Sequence, residues 1–281
     1  MSSLRTSPSA VRRLARLALL VLLALGAGSA ARLALPAAAA TAGSAGAEGE
    51  AHEGVFLLHY IPGLERVPAH VLGAIFVALV LAALAWVGTR ELRRGEAGLV
   101  PSERLTVQNF LELMVETTVG FLESIIGHQG RRFLPLIGTL AFFILFANLL
   151  GQIPGFLPPT SHLGTTAALA AVVFVTTHYV GIKANGVAYV KHFLGPIWWL
   201  APLMLVIEII SHLARPLSLS VRLFGNMFGD HMVLALFVGL VPLVVPVPAM
   251  ILGVFVALVQ TFVFCLLSTM YIAGAVAHEE H

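Results

Sequence analysis

A polar stripe along one helical face near the end of the chain holds most of its chemically capable side chains. Polar or small residues recur every three or four positions between Glu208 and Gly229, and that spacing places them on one side of an α-helix. The stripe consists of Glu208, Ser211, Arg215, Ser218, Arg222, Asn226 and Gly229, with His212 and His231 close to its edges. Such a stripe in an otherwise apolar helix faces a protein interior or a water-filled cavity rather than lipid.

Arg222 is the member of the polar stripe that is hardest to accommodate in a membrane. Apolar sequence flanks it on both sides. An arginine that faces lipid costs about 2.5–3.5 kcal/mol even on lenient insertion scales. We therefore expect Arg222 to meet water, a partner or a reacting group. Arg215, which precedes Pro216, also fits the alternative of a side chain that snorkels from a helix end to the membrane surface.

The acidic residues of this helix have structural as well as functional interpretations. Glu208 can line a polar path, or it can simply pair with Arg215 or His212. Asp230 can likewise form a structural pair with its neighbour His231. The sequence by itself leaves both alternatives open.

The following apolar segment carries a second stripe of its own. Its members, Gly253, Gln260, Phe264, Ser268 and Tyr271, also share one helical face. Gln260 is the one strong hydrogen-bonding amide of that segment, and antiparallel packing of the two helices would bring it to Arg222. Glycine at Gly253 permits close packing or a path for water.

The composition restricts the chain to one broad class of protein. It is 58% hydrophobic and 11% charged, whereas soluble domains contain about 25% charged residues. Mean hydropathy is +0.94, which indicates a polytopic membrane protein. The net charge of +2 gives no indication of a nucleic-acid partner, and the single cysteine, Cys265, excludes a disulfide within the chain.

Helical periodicity and apolar length predict an all-α protein with about five membrane-embedded helices and one interfacial amphipathic helix. The amphipathic segment, 102–126, carries too many glutamates to span and is expected on the cytoplasmic surface. The predicted spans are 71–89, 133–150, 166–182, 197–241 and 246–277. The last two exceed the length of a perpendicular span, so we expect them to be strongly tilted or nearly in the membrane plane.

The flanks of the spans predict the orientation of the chain. Residues 1–40 resemble a signal peptide, with an uncleaved transmembrane helix as the alternative, and 41–67 would then lie outside the cytoplasm. Arginines after the first span, including Arg90, place that end in the cytoplasm, where the C-terminus is also expected. Asn148 and Gln152 fall at the outer end of the second span. They can serve as helix caps and polar loop residues, or they can line an aqueous entry path.

Two other classes of membrane protein fit the sequence less well. A self-contained secondary transporter would show paired repeats and broken helices around a midplane site, and neither is present in the sequence. An intramembrane hydrolase or metalloenzyme would need a nucleophile elbow or a pair of metal-ligating histidines one helical turn apart. The tail 278–281 lacks that spacing. No cofactor, metal or catalytic residue is therefore expected.

The residues 215–227, Arg-Pro-Leu-Ser-Leu-Ser-Val-Arg-Leu-Phe-Gly-Asn-Met, closely resemble the signature of subunit a of F-type ATP synthases. The run 258–264 and the ending 271–281 are similar to that family's later signatures, and the resemblance extends over about residues 68–281. It implies a stationary, non-catalytic subunit in the inner membrane of a bacterium. Its implied partners are a rotating ring of c subunits, the b subunits of the peripheral stalk and the lipid bilayer.

The resemblance also implies roles for individual residues. Arg222 matches the essential arginine, which separates two offset proton half-channels and blocks a short circuit between them, and Gln260 matches the glutamine beside it. The remaining matches are Glu208 and Ser218 in the cytoplasmic half-channel and Asn226 and His231 in the outer one. Apart from these matched positions, Asp230, Arg215, Asn148 and Tyr271 are candidate accessory residues.

This chain departs from the family pattern on the outer side. Some members pair a glutamate at the His231 position with a histidine at the Gly253 position, and others carry histidine at the first. Here the glycine leaves His231 without a second titratable partner. Asp230 or water alone is expected to fill that role, and the coupling ion, expected to be a proton, is not determined by this chain.

Overall fold

The computed structural model of the chain is built from helices. It describes residues 68–92, 107–153, 156–186, 189, 199–240 and 246–276, and no strand occurs among them. The predicted leader 1–40, the segment 41–67 and the tail 277–281 lie outside the described residues. The α-helices are α1 (Ala69–Leu92), α2 (Val107–Ile126), α3 (Leu134–Leu150), α4 (Leu163–Asn185), α5 (Ala201–Leu240) and α6 (Pro246–Val276).

Five helical segments are long and apolar enough to cross a membrane. They fall within Ala69–Gly88, Gln108–Leu150, Leu163–Asn185, Ala201–Leu234 and Val247–Val276. The prediction of an all-α, multi-pass membrane protein is confirmed. Helix α2 covers most of the predicted amphipathic segment, and its position on the cytoplasmic surface stays a prediction.

Helices α2 and α3 follow one another with only a short turn between them. Gly127, at φ 77°, ends α2 in the left-handed region that glycine adopts without a steric penalty. The 3-10 helix Gly127–Phe133 then leads directly into α3. A second 3-10 helix, Pro159–Ser161, precedes α4 and contacts both α3 and α5. These two connections fix the ends of α3, and its C-terminal end carries part of the site.

The core lies between α3, α4, α5 and α6, which contact one another. Helix α3 contributes Ile137, Leu140 and Ile144, and α4 contributes Leu169. The buried residues of the last two helices are Leu219, Leu223 and Met227 on α5 and Phe264 and Ile272 on α6. Each of these side chains is almost completely buried, so they fix how the last two helices are rotated about their own axes.

Helix α5 is 40 residues long, which corresponds to about 60 Å at 1.5 Å per residue. The hydrocarbon core of a bilayer is about 30 Å thick, so a helix of this length must be steeply tilted if it lies within the membrane. Pro216 lies inside the helix without ending it. Within the part of the chain that the structure describes, one side of α5 packs on the other helices, with Leu219, Leu223 and Met227 buried, and the opposite side is uncovered.

Candidate functional site

The centre of the site lies on the uncovered side of α5. Ser218, Arg222 and Asn226 follow one another at one-turn intervals there, and all three are exposed at the surface of the chain. In the part of the chain that the structure describes, Arg222 has no hydrogen-bonding or ion-pair partner. The central segment of the polar stripe is therefore not buried against the other described residues, and whatever satisfies the arginine lies outside them.

Gln260 joins α6 to α5 through Asn226 rather than through Arg222. The Asn226 Nδ2 donates to Gln260 Oε1 at 2.6 Å. Gln260 is 3% exposed, and its own Nε2 is buried without a partner. The expected hydrogen bond between Gln260 and the arginine is thus replaced by one to the residue a helical turn further on. The second stripe is otherwise as predicted, because Gly253, Phe264 and Ser268 are all buried on the same side of α6.

A cluster of ionisable and aromatic side chains lies towards the N-terminal part of α5. The His212 Nδ1 is 3.4 Å from Glu208 Oε1, which realises the local pairing that the sequence left open. The ring of His178, on α4, lies across the ring of His212 with 5.3 Å between centroids. Arg215 lies over the ring of Tyr271 at 5.5 Å, so its guanidinium is directed to α6. We call these residues the N-side cluster.

The N-side cluster surrounds a small cavity. His178, His212, Arg215 and Tyr271 all line it, and its volume of about 10 Å³ is close to the minimum for one water molecule. The Nδ1 of each histidine lies within hydrogen-bonding distance of the carbonyl oxygen one turn earlier, 2.9 Å for His178 and 3.0 Å for His212. A carbonyl only accepts, so in the neutral rings Nδ1 carries the hydrogen and Nε2 is the acceptor.

His178 is the residue of this cluster that sequence reasoning missed. It has no polar neighbour at helical spacing on α4, so nothing in the sequence around it indicates a site. Its place in the cluster depends on how α4 packs against α5. A periodicity along one helix carries no information about that packing.

A second cluster lies beyond Arg222, towards the C-terminal part of α5. Gln152, at the end of α3, donates from Nε2 to Asp230 Oδ2 at 2.6 Å. His231, the next residue, lies against Gly151, where an added Cβ would be 2.8 Å from the His231 Nε2. That nitrogen is buried and has no partner. We call Gly151, Gln152, Asp230, His231 and Gly253 the C-side cluster.

Gly253 is in direct contact with the side chain of Gln152. A Cβ at Gly253 would lie 2.5 Å from Gln152 Nε2 and closer still to its Oε1. Gln152 is 6% exposed, so its amide is enclosed between α5 and α6. The space that a side chain at position 253 would occupy is therefore filled by the glutamine that follows α3. Asp230 pairs with this glutamine, and no hydrogen bond joins it to His231 among the described residues.

Asn148 has a structural role where the chain leaves α3. It is completely buried, and its Oδ1 accepts a hydrogen bond from Thr160 Oγ1 at 2.7 Å. Its Nδ2 is buried without a partner. The side chain thus ties the end of α3 to the 3-10 helix before α4, which is the loop-stabilising interpretation of this residue.

Among the described residues, no three histidine, cysteine, aspartate or glutamate side chains are arranged to hold a metal ion.

These features define a multi-pass helical membrane protein with two ionisable clusters, one on either side of an arginine that has no partner among the described residues. Its sequence matches the family described as ATP synthase A chain over residues 71–273. The chain belongs to this family, the a subunits of F-type ATP synthases.

Curated relatives are similar over most of their length. The ATP synthase subunit a 2 of Syntrophotalea carbinolica is 55% identical over 197 residues, which cover 70% of this chain and 82% of the relative. The ATP synthase subunit a of Trichlorobacter lovleyi is 51% identical, with 71% and 83% covered. That of Geobacter sulfurreducens is 50% identical, with 72% and 83% covered.

Proposed function

We propose that this chain is the proton-translocating stator subunit of a bacterial F-type ATP synthase. It forms two offset half-channels against a ring of c subunits and couples proton flow to the rotation of that ring. The observation that carries this proposal is the position of Arg222, which is uncovered on α5 and has no partner among the described residues. Family membership supports the complex in which the chain works.

The fixed charge of Arg222 gives the proposed barrier its physical basis. A guanidinium stays protonated in proteins, so it cannot relay a proton. A carboxylate of the ring that approaches it is favoured in its ionised form and gives up its proton. Each ring carboxylate must therefore be deprotonated as it passes Arg222. Protons cannot then cross directly from one half-channel to the other.

The two clusters are the proposed half-channels. Glu208 and Arg222 are 14 positions apart, about 21 Å along the helix, and Arg222 and His231 are 9 apart, about 14 Å. Two groups of polar side chains are thus offset along α5 on either side of the arginine. This arrangement fits a path that enters on one side, crosses by rotation of the ring and leaves on the other.

We assign the cytoplasmic half-channel to Glu208 and Ser218. Arg215 and Tyr271 belong to the cavity of the N-side cluster and are accessory. His178 and His212 add two imidazoles, a type of side chain that can both accept and donate a proton.

We assign the outer half-channel to Asn226 and His231, with Asp230 as an accessory residue. Gln260 acts indirectly on the proton path, because its hydrogen bond holds the side chain of Asn226 in place. Asn148 supports the loop that closes the outer end of α3. His231 suits proton relay, since its Nε2 is left unpaired inside the protein.

The remaining partners and the orientation follow from the family and the charge pattern. We expect the uncovered side of α5 and α6 to face the c-ring, and the b subunits of the peripheral stalk to hold the chain in place. The N-terminus is proposed to lie outside the inner membrane, behind a signal peptide at 1–40. Helix α2 and the C-terminus are proposed to lie on the cytoplasmic side.

The experiment is ATP-driven proton pumping in inverted membrane vesicles that contain the whole complex. Arg222→Ala is expected to abolish coupled pumping, and Val221→Ala, which shortens a neighbouring uncovered side chain, is expected to leave it intact. Normal pumping with Arg222→Ala would contradict the proposal. Purification of the chain without a c-ring, together with ion transport by the chain alone, would favour a self-contained secondary transporter.

A further inference from the structure

The C-side cluster contains a carboxylate in a position that the family signature does not assign. Asp230 is half-buried on α5, one residue before His231, and Gln152 donates to its Oδ2. Its other oxygen, Oδ1, accepts no hydrogen bond from the described residues and is not among the buried unpaired atoms. One carboxylate oxygen is therefore held by the protein, while the other stays available to water and to a proton.

Gln152 is held in place from two sides. Its amide fits against the bare backbone of Gly253 so closely that a methyl group there would collide with it, and its Nε2 is anchored by Asp230. The amide therefore has little freedom to move.

The same end of α3 also positions His231. Gly151, the residue before Gln152, lies so close to the His231 Nε2 that a side chain on it would not fit. Two successive residues directly after α3 thus contact two successive residues of α5.

We propose that Asp230 is the second titratable group of the outer half-channel, and that Gln152, seated on Gly253, positions it. This inference rests on the proposed function. Asp230 takes up a proton from water on the outer side through Oδ1 and releases the same proton towards the ring carboxylate, so the side chain returns to its starting form. Gln152 is a positioning residue, because its amide carries no proton that it can give up.

The first test is Asp230→Asn, which keeps the shape and can still accept the hydrogen bond from Gln152. Coupled pumping by the whole complex in vesicles is expected to fall about a hundredfold, the lower end of what a positioned acid or base contributes. Asp230→Glu is expected to restore a measurable part of it. Glu116→Gln, a matched change on the exposed side of α2, is expected to have no effect.

The second test is a double-mutant cycle between Gln152 and Asp230. Gln152→Leu alone is expected to reduce pumping, and Gln152→Leu added to Asp230→Asn is expected to cause no further loss, since its effect acts through the carboxylate. A further independent loss in the double variant would mean that Gln152 only packs the helices, and it would overturn the positioning role. The amount of this subunit in the purified complexes shows whether each variant assembles.

The outcomes separate this inference from the proposed function. Loss of pumping in Arg222→Ala together with normal pumping in Asp230→Asn would overturn the inference and leave the stator assignment in place. Normal pumping in both would contradict both. If Asp230→Asn does not assemble, Asp230→Glu decides, because a carboxylate displaced by one methylene must still support pumping if proton exchange is its role.

Discussion

Gly253→Ala is expected to disturb the contact between Gln152 and Asp230 by adding a single methyl group. The new Cβ would lie 2.5 Å from Gln152 Nε2, whereas ordinary contacts begin near 3.4 Å, so the amide must move by about 1 Å. A shift of that size is expected to disrupt the 2.6 Å hydrogen bond to Asp230, because the amide is enclosed between α6 and the carboxylate on α5 and cannot move while keeping that geometry. The substitution therefore acts on α3 and α5 although it is made on α6.

The energetic cost follows from two opposing contributions. Loss of a hydrogen bond to a charged group costs about 1.5–3 kcal/mol. Replacement of a helical glycine by alanine stabilises the helix by about 1 kcal/mol. The net destabilisation of the folded subunit is about 0.5–2 kcal/mol, which corresponds to about a two- to thirtyfold change in a rate governed by it.

The assay is the half-life of coupled proton pumping when vesicles with the complex are held at a fixed raised temperature. Gly253→Ala is expected to shorten it, whereas Gly274→Ala, on the same helix, is not, because an added Cβ there meets nothing within 4 Å. In a Gln152→Ala background the collision is absent, so Gly253→Ala should then cost nothing. Equal half-lives for the two alanine variants, or a loss that persists in the Gln152→Ala background, would refute the reasoning.

Three further predictions concern other parts of the site. Asn226→Leu and Gln260→Leu are each expected to destabilise the subunit by about 1–3 kcal/mol. Because the two residues share one hydrogen bond, the double variant should be inactivated by heat less than the sum of the two single effects. Strict additivity of the two effects would contradict this. His178→Ala and His178→Gln are both expected to slow proton pumping, because each removes the imidazole beside His212. Unchanged pumping rates in both variants would show that His178 is not part of the proton path. Cys265, which is 6% exposed, is expected to resist maleimide labelling in the folded complex and to react after denaturation. Mass spectrometry measures the labelling, and labelling of the folded complex would contradict the burial of Cys265.

Periodicity within one helix predicted much of the architecture. The all-α class and the burial of the α6 stripe follow from positions that recur along single helices, where 3.6 residues per turn decide which side chains share a face. The unusual length of α5 is also visible in the sequence, because the apolar block that begins near 197 continues to the prolines that start at Pro242. These features are local, so one sequence suffices to see them.

Contacts between helices could not be predicted in the same way. The sequence suggested that Gln260 would meet Arg222, but the relative shift of α5 and α6 brings it to Asn226, one helical turn further on. Gln152 is recognisable in the sequence only as a polar residue at a helix end, and no local pattern places it against Gly253. These positions depend on register and rotation between helices, which are determined by how the buried side chains fit together.

The sharpest test of the central claim is passive proton flow through the complex when its c-ring is immobilised by a cross-link to the stator. If Arg222 separates two half-channels, the immobilised wild-type complex should be tight, and immobilised Arg222→Ala should leak protons because ring carboxylates can then exchange with both sides. Immobilised Val221→Ala should stay tight. An Arg222→Ala complex that stays as tight as the wild type would contradict the role of Arg222 as the barrier.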